Sequence, residues 1–321
     1  MAKSELEVGL LLHTRDLIRE AGPASFDGLW DQATRAEAAG FDHIWLGDSV
    51  TILSKARGDC IATLSALAVK TSRIKIGAVP FIAALRNPVL LAHALATADV
   101  ISGGRIVLGV SVAPMAEYIE RQFTACGVPF HEKAGRLSET IEIMRRLWTE
   151  ESFAHAGKYF HFDEIGVLPK PIQQPTIPIW IAADRHDNAF KRVARLGDGW
   201  VTLTASLDKF KEGRQKIDAY AEEYGRSGQI PQTAVYASFN LNRNGDTARS
   251  EGWAWMEEFF RQPRAKLEYH FTIFGTPEEC AERLRGYVQA GLTTVIVRIA
   301  SEDWQGQAKL VLEELKPRLA G

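Results

Sequence analysis

The constraint that leaves this chain the fewest choices is an alternation. Short apolar runs fall at 8–12, 43–46, 74–79, 106–110, 178–182, 199–203, 234–241 and 294–299. Longer stretches of helical periodicity separate them, at 26–39, 59–70, 88–102, 132–148, 188–196, 207–224 and 303–319. Strand and helix in turn mean βαβ units, which require a parallel sheet with helices packed on it. Eight such units fit a closed (β/α)8 TIM barrel, an α/β fold that reaches this length as one domain, here 1–321. The competing open, doubly wound sheet would show a GxGxxG after a strand, and none occurs.

Helix stops agree with that parse. Gly40 and Gly291 each stand just past a helix and ahead of a strand. Thr276-Pro277-Glu278-Glu279 reads as a helix start, with Thr276 as N-cap and Pro277 in the first turn. The spacing is uneven at 111–176, after the fourth strand, and at 242–275, after the seventh. Both segments are expected as insertions over the carboxyl face, where a barrel carries its chemistry. In the first, 159–162 alternates like a small antiparallel strand. The second carries Trp253, Trp255, Phe259 and Phe260, which read as packing before they read as a substrate box.

Composition removes several function classes. A net charge of −2 provides no basic field for a phosphate backbone, so no nucleic-acid partner is expected. Cys60, Cys126 and Cys280 are widely spaced and fit neither a disulfide frame nor a zinc site. No HxH or HExxH occurs, so no metal is expected, and Lys75 lies inside its strand, away from the tip where a Schiff base would form. No apolar run is long enough to span a bilayer, and the charged start of the chain lacks a secretory pattern, so the expected location is cytoplasmic with no membrane partner.

Several motifs in order carry a resemblance. They are 36–48 (AEAAGFDHIWLGD), 67–77 (LAVKTSRIKIG), 101–110 (ISGGRIVLGV), 147–149 (LWT), 157–160 (GKYF), 178–183 (PIWIAA) and 194–200 (ARLGDGW). With this spacing the chain resembles the luciferase-like flavin monooxygenase superfamily, which includes the coenzyme F-420-dependent oxidoreductases. The resemblance implies the same barrel, with a reduced flavin or deazaflavin across its carboxyl face. It also implies a non-proline cis peptide near the end of the third strand, here Gly77-Ala78-Val79, against the cofactor ring.

The strand ends and the resemblance together mark a set of candidates. Asp48-Ser49 ends the second strand where relatives often read Asp-His. Asp48 is thus either a chemical group or a cap, and Ser49 has a hydrogen bond to offer the cofactor. His13, one step past the first strand, is either an acid–base group or a packed histidine. Gly109 and Ser111 end the fourth strand beside the cofactor. Ala182, Ala183, Asp184 and Arg185, with Gly199 and Trp200, match the segments whose backbone amides hold the cofactor phosphate. Asp184 counts against that cradle unless its carboxylate turns away. Arg298, in the last strand, reads as half of a barrel salt bridge, and Arg136 with Glu139 as a solvated pair.

The expected function is a monooxygenase that uses reduced FMN and O2 on a small organic substrate, with a separate flavin reductase as supplier and a homodimer as its form. The alternative is hydride transfer with coenzyme F-420, whose acidic tail would suit Lys209, Lys211, Arg214 and Lys216. A non-catalytic flavin-binding barrel is the third reading. Nothing in the sequence names the substrate.

Overall fold

The computed structural model describes residues 6–14, 25–50 and 57–319. Eight parallel strands close into a barrel: β1 (Glu7–Leu11), β2 (His43–Leu46), β3 (Lys75–Phe81), β4 (Ile106–Val110), β7 (Ile179–Ala182), β8 (Gly199–Thr202), β9 (Gln232–Leu241) and β11 (Thr294–Ile299). Pairing of β8 with β9 and of β11 with β1 completes the circle. The helices are α1 (Asp27–Ala39), α2 (Cys60–Lys70), α3 (Pro88–Ser102), α4 (Glu117–Ala125), α5 (Lys133–Thr149), α6 (Asp187–Leu196), α7 (Leu207–Glu223), α8 (Gly245–Phe260), α9 (Pro277–Gln289) and α10 (Trp304–Lys309).

Local chemistry sets the ends of these elements. Gly40 closes α1 with φ +96°, a conformation that costs other residues a steric penalty. Thr276 and Glu279 form a reciprocal capping box at the start of α9, with Pro277 in its first turn. The last helical stretch is not uniform. After α10 it widens into a π-turn over Leu310–Leu315 and tightens at Lys316–Arg318, where Pro317 cannot donate.

Segment 111–176 supplies more than an insertion. Its helix α5 packs between α3 and α6, as a barrel helix should, while α4 and a hairpin of β5 (Phe153–Ala156) and β6 (His161–Ile165) are additions. The hairpin lies along α5. Glu139 accepts the backbone N–H of Tyr159 and Phe160 at its tip and contacts His155 at 3.0 Å. Arg136 pairs with Glu132 at 2.7 Å, so the expected pair with Glu139 does not form. In segment 242–275, helix α8 is followed by β10 (Thr272–Gly275), a strand absent from the sequence parse. It pairs with Ser238 to Leu241 of β9, while β8 pairs with β9 only as far as Val235.

Strand alternation divides the core. Outward residues such as Ile44, Leu108, Ile181 and Val297 meet the helices. Inward residues Leu11, Trp45, Val79, Val107, Trp180, Val201, Ala234, Tyr236 and Ile296 fill the barrel. Below them His43 lies near Trp45 and Trp180, with ring centroids at 5.5 and 5.8 Å. Lys75 meets Glu7 at 2.7 Å at the same end. The amino half of the barrel is therefore solid, and space for a ligand lies at the carboxyl mouth.

Candidate active site at the carboxyl mouth of the barrel

Several sequence candidates hold the scaffold. Asp48 is buried and takes the Arg86 guanidinium in two bonds, 2.8 and 2.9 Å, while accepting Ile82 N–H at 3.0 Å. These three bonds tie it to the segment after β3, an arrangement that favours the structural role. Ser49 is half-buried next to it at the rim. The room at Gly77 and Gly199 is occupied by the indoles of Trp45 and Trp180. Gly109 is required by Val79, whose Cγ2 would lie 2.7 Å from a Cβ there. Ala78 faces the helix layer. Trp200 is likewise outside the barrel, stacked on Phe210 and donating to Ala183 O at 2.7 Å. The Cβ space at these glycines is thus filled by neighbouring side chains, and the Trp200 ring packs in the helix layer.

The third strand carries its cis bond at Val79–Pro80, so the peptides within Gly77-Ala78-Val79 are trans and the expected non-proline cis bond is replaced by an X-Pro bond. The register with β4 shifts between Ala78 and Phe81, and Pro80 is exposed at the mouth. Ser111 accepts Ala113 N–H at 3.0 Å, which fixes the turn after β4.

The segment after β7 suits an anion. Asp184 does turn away: its carboxylate accepts Leu203 N–H at 2.8 Å and bonds Thr202 Oγ1. Helix α6 starts with no side chain capping its first amides, and Arg185 is exposed just ahead of it. Uncapped amides at the positive end of a helix attract negative charge. Asp187 in that first turn is offset by Lys216 at 3.0 Å. Ala182 and Ala183 present little bulk beside this cradle.

On the other wall, Arg298 points inward from β11. One Nη donates to Tyr236 Oη and the other to Ser238 Oγ at 3.3 Å. Its guanidinium lies 4.7, 5.7 and 5.1 Å from the ring centroids of Tyr236, Phe259 and Phe260. No carboxylate pairs with it among the described residues, so the expected barrel salt bridge is absent. Arg57 reaches across Gly47 into the same mouth. Burial lowers its pKa, Tyr236 and Cys60 raise it, and the Arg298 charge lowers it again. Burial also pushes the Cys60 thiol well up, which keeps it a packed, protonated group. His13 is half-buried at the end of β1, with its ring 6.0 Å from Trp255. Tyr269, largely exposed, stands over this wall within the field of Arg298. Beyond Trp255, a cavity of about 880 Å3 between α8 and α10 is lined by Asn240, Ser301 and Glu302, the last bonded to Trp255 at 3.0 Å.

A family model described as luciferase-like monooxygenase matches residues 6–294. The chain belongs to this family. It is an enzyme, an oxidoreductase of the luciferase-like group. It is 29% identical over 285 residues to a 5,10-methylenetetrahydromethanopterin reductase from Archaeoglobus fulgidus, covering 87% of this chain and 77% of that one. It is 27% identical over 303 residues to an F420-dependent glucose-6-phosphate dehydrogenase from Kineococcus radiotolerans, covering 86% and 88%. The solved monooxygenase RslO1 from Streptomyces bottropensis superposes with a TM-score of 0.82 at 22% identity, over 98% of this chain and 100% of that one, a likeness of fold.

The luciferase-like family uses FMN or coenzyme F420, and the residues present fit a phosphate-bearing cofactor of that kind. The uncapped start of α6 with Arg185 would hold the phosphate, and the Asp184 carboxylate is turned toward Thr202 and Leu203 rather than into the cradle. Sequence reading missed Tyr236 and Ser238. Their signal was present: Tyr236, Ser238 and Asn240 recur at every second position toward the end of β9, placing polar groups on the inward face. Arg57 has no such signal, because it lies in a loop without periodicity.

Proposed function

We propose that this luciferase-like enzyme is a coenzyme F420-dependent oxidoreductase that moves a hydride to or from a small organic substrate at the barrel mouth. The observation that carries it is the set of F420-dependent dehydrogenases matched over 86–91% of this chain. This reverses the order expected from sequence, which set FMN first. When bound, the deazaflavin supplies a two-electron centre that gives or accepts hydride.

The protein's own part is positional and protonic. The α6 amides and Arg185 hold the cofactor's phosphate end. Tyr236 accepts from Arg298, so its hydroxyl hydrogen remains to donate to a substrate oxygen as negative charge develops there. His13 supplies a second titratable group at the rim. Phe259, Phe260 and Trp255 keep bulk water from the reacting atoms.

Monooxygenation with reduced FMN and O2 is the second reading, favoured by that same aromatic wall, which would keep water from the reacting atoms; it would draw reduced FMN from a separate reductase. Fluorescence titration of F420 against oxidised and reduced FMN decides between them. F420 binding with hydride-transfer turnover is expected; a preference for FMN with O2-dependent product overturns the proposal. Exposed Val69 on α2 and Leu90, Val100 and Ile101 on α3 support a homodimer through these helices. Light scattering at the mass of a monomer would sink that assignment.

A further inference from the structure

Arg298 and Arg57 share an unusual condition. Both guanidinium groups are drawn into the mouth, both keep a buried Nε without a hydrogen-bond partner, and neither meets a carboxylate among the described residues. Asp48 lies within the field of Arg57, but Arg86 already holds it in two bonds. A buried charge is normally paired, because leaving it unpaired carries a desolvation penalty. Here Arg57 also lies within the field of the Arg298 charge, which adds repulsion to that cost. Such an arrangement becomes favourable when an anion enters between them.

The strand order says which anion this is. Arg298 is on β11 and Arg57 lies over β2, on either side of β1. The α6 cradle opens at β7 and β8, on the opposite wall. The cofactor's phosphate thus has its own place, and the arginines are left for the other occupant of the mouth. Guanidinium is suited to planar or tetrahedral oxyanions through paired N–H donors. Phe259, Phe260 and Tyr236 around Arg298 exclude water and strengthen the attraction.

We infer that Arg298 and Arg57 form a substrate subsite for a compact oxyanion, so the enzyme's substrate is an organic acid or a phosphoryl ester. The assignment rests on the oxidoreductase reading in one respect, that substrate and cofactor share this mouth.

Isothermal titration of the full chain with inorganic phosphate and, separately, with acetate tests it and tells the two head groups apart. Saturable binding of at least one is expected, weakened by about tenfold or more in Arg298→Met, as for loss of one buried charge-assisted bond. F420 affinity, measured in parallel, should move less than about threefold in that variant. Three results overturn the proposal: neither anion binds the wild-type chain saturably, Arg298→Met leaves anion binding intact, or it weakens F420 while sparing the anion. If wild-type chain ignores F420 while anion binding still depends on Arg298, the cofactor assignment fails and the subsite stands. Should Arg298→Met not fold, Arg57→Met takes its place with the same expected loss.

Discussion

Trp45 lies so close over Gly77 that a Cβ on the glycine would meet the indole at 2.3 Å. Neighbouring strands β2 and β3 pair these two residues directly. The large residue has its space because the facing one has no side chain. Gly77→Ala must therefore push a fully buried indole against Trp180, 5.3 Å away between centroids. The expected cost is about 1–3 kcal/mol, read as a lower urea midpoint with an unchanged slope. An unchanged midpoint would show that the interior yields more than its packing indicates.

Asp48→Asn keeps the shape of the side chain and removes its charge. Arg86 is then left largely buried without its two carboxylate bonds. Breaking one partner of such a pair costs about 3–5 kcal/mol. Thermal unfolding should fall accordingly, while turnover per folded molecule holds. Loss of turnover in a protein that melts normally would return Asp48 to the chemistry.

His43 ties stability to pH. Burial first, and the charge of Lys75 second, push its pKa down to about 3. Lys75 at 2.7 Å, rather than His43 at 3.3 Å, is the cation that neutralises Glu7, so the imidazole is neutral in the fold. The unfolded chain binds a proton at His43 below its ordinary value near 6.5, and the folded chain does not. Its contribution is complete above that value and declines as pH falls toward 3, by at most about 1.4 kcal/mol per pH unit. Urea midpoints across this range should slope less in His43→Gln. Parallel slopes in the two proteins would exclude the imidazole as their source.

Tyr236→Phe leaves the ring against Arg298 and deletes the hydroxyl. With the proton donor gone, kcat should drop by about 10²–10⁴-fold, with F420 affinity nearly unchanged. A drop in affinity without a drop in kcat would make Tyr236 a binding residue only.

The barrel was legible because its two periodicities are long-range regularities written locally, residue by residue. Strand β10 escaped because Thr272–Gly275 is four residues long and its partner is the upper edge of β9, a relation no local pattern records. The motifs that carried the family resemblance proved mostly to be joinery. Glu37 accepts the backbone N–H of Ser72, Arg73 and Ile74, binding one motif to the next. Arg105 donates to Ser102, Thr71, Ile74 and Ala68, fastening the ends of α2 and α3 to the start of β3. Such residues reveal the fold and say little about the reaction. The mouth is different: Arg298 finds Tyr236 and Ser238 on another strand, about 60 residues earlier in the chain. Its meaning depends on closure of the barrel, so sequence supplied the residue but not its company.

The filled amino half also has a kinetic meaning. With Trp45, Trp180 and His43 stopping the far end, cofactor and substrate must come and go by one doorway. Whichever enters first can be trapped behind the second. Steady-state kinetics should therefore show compulsory-order or ping-pong patterns rather than random addition, and the traffic at that doorway, not the chemical step, becomes a natural limit on the rate.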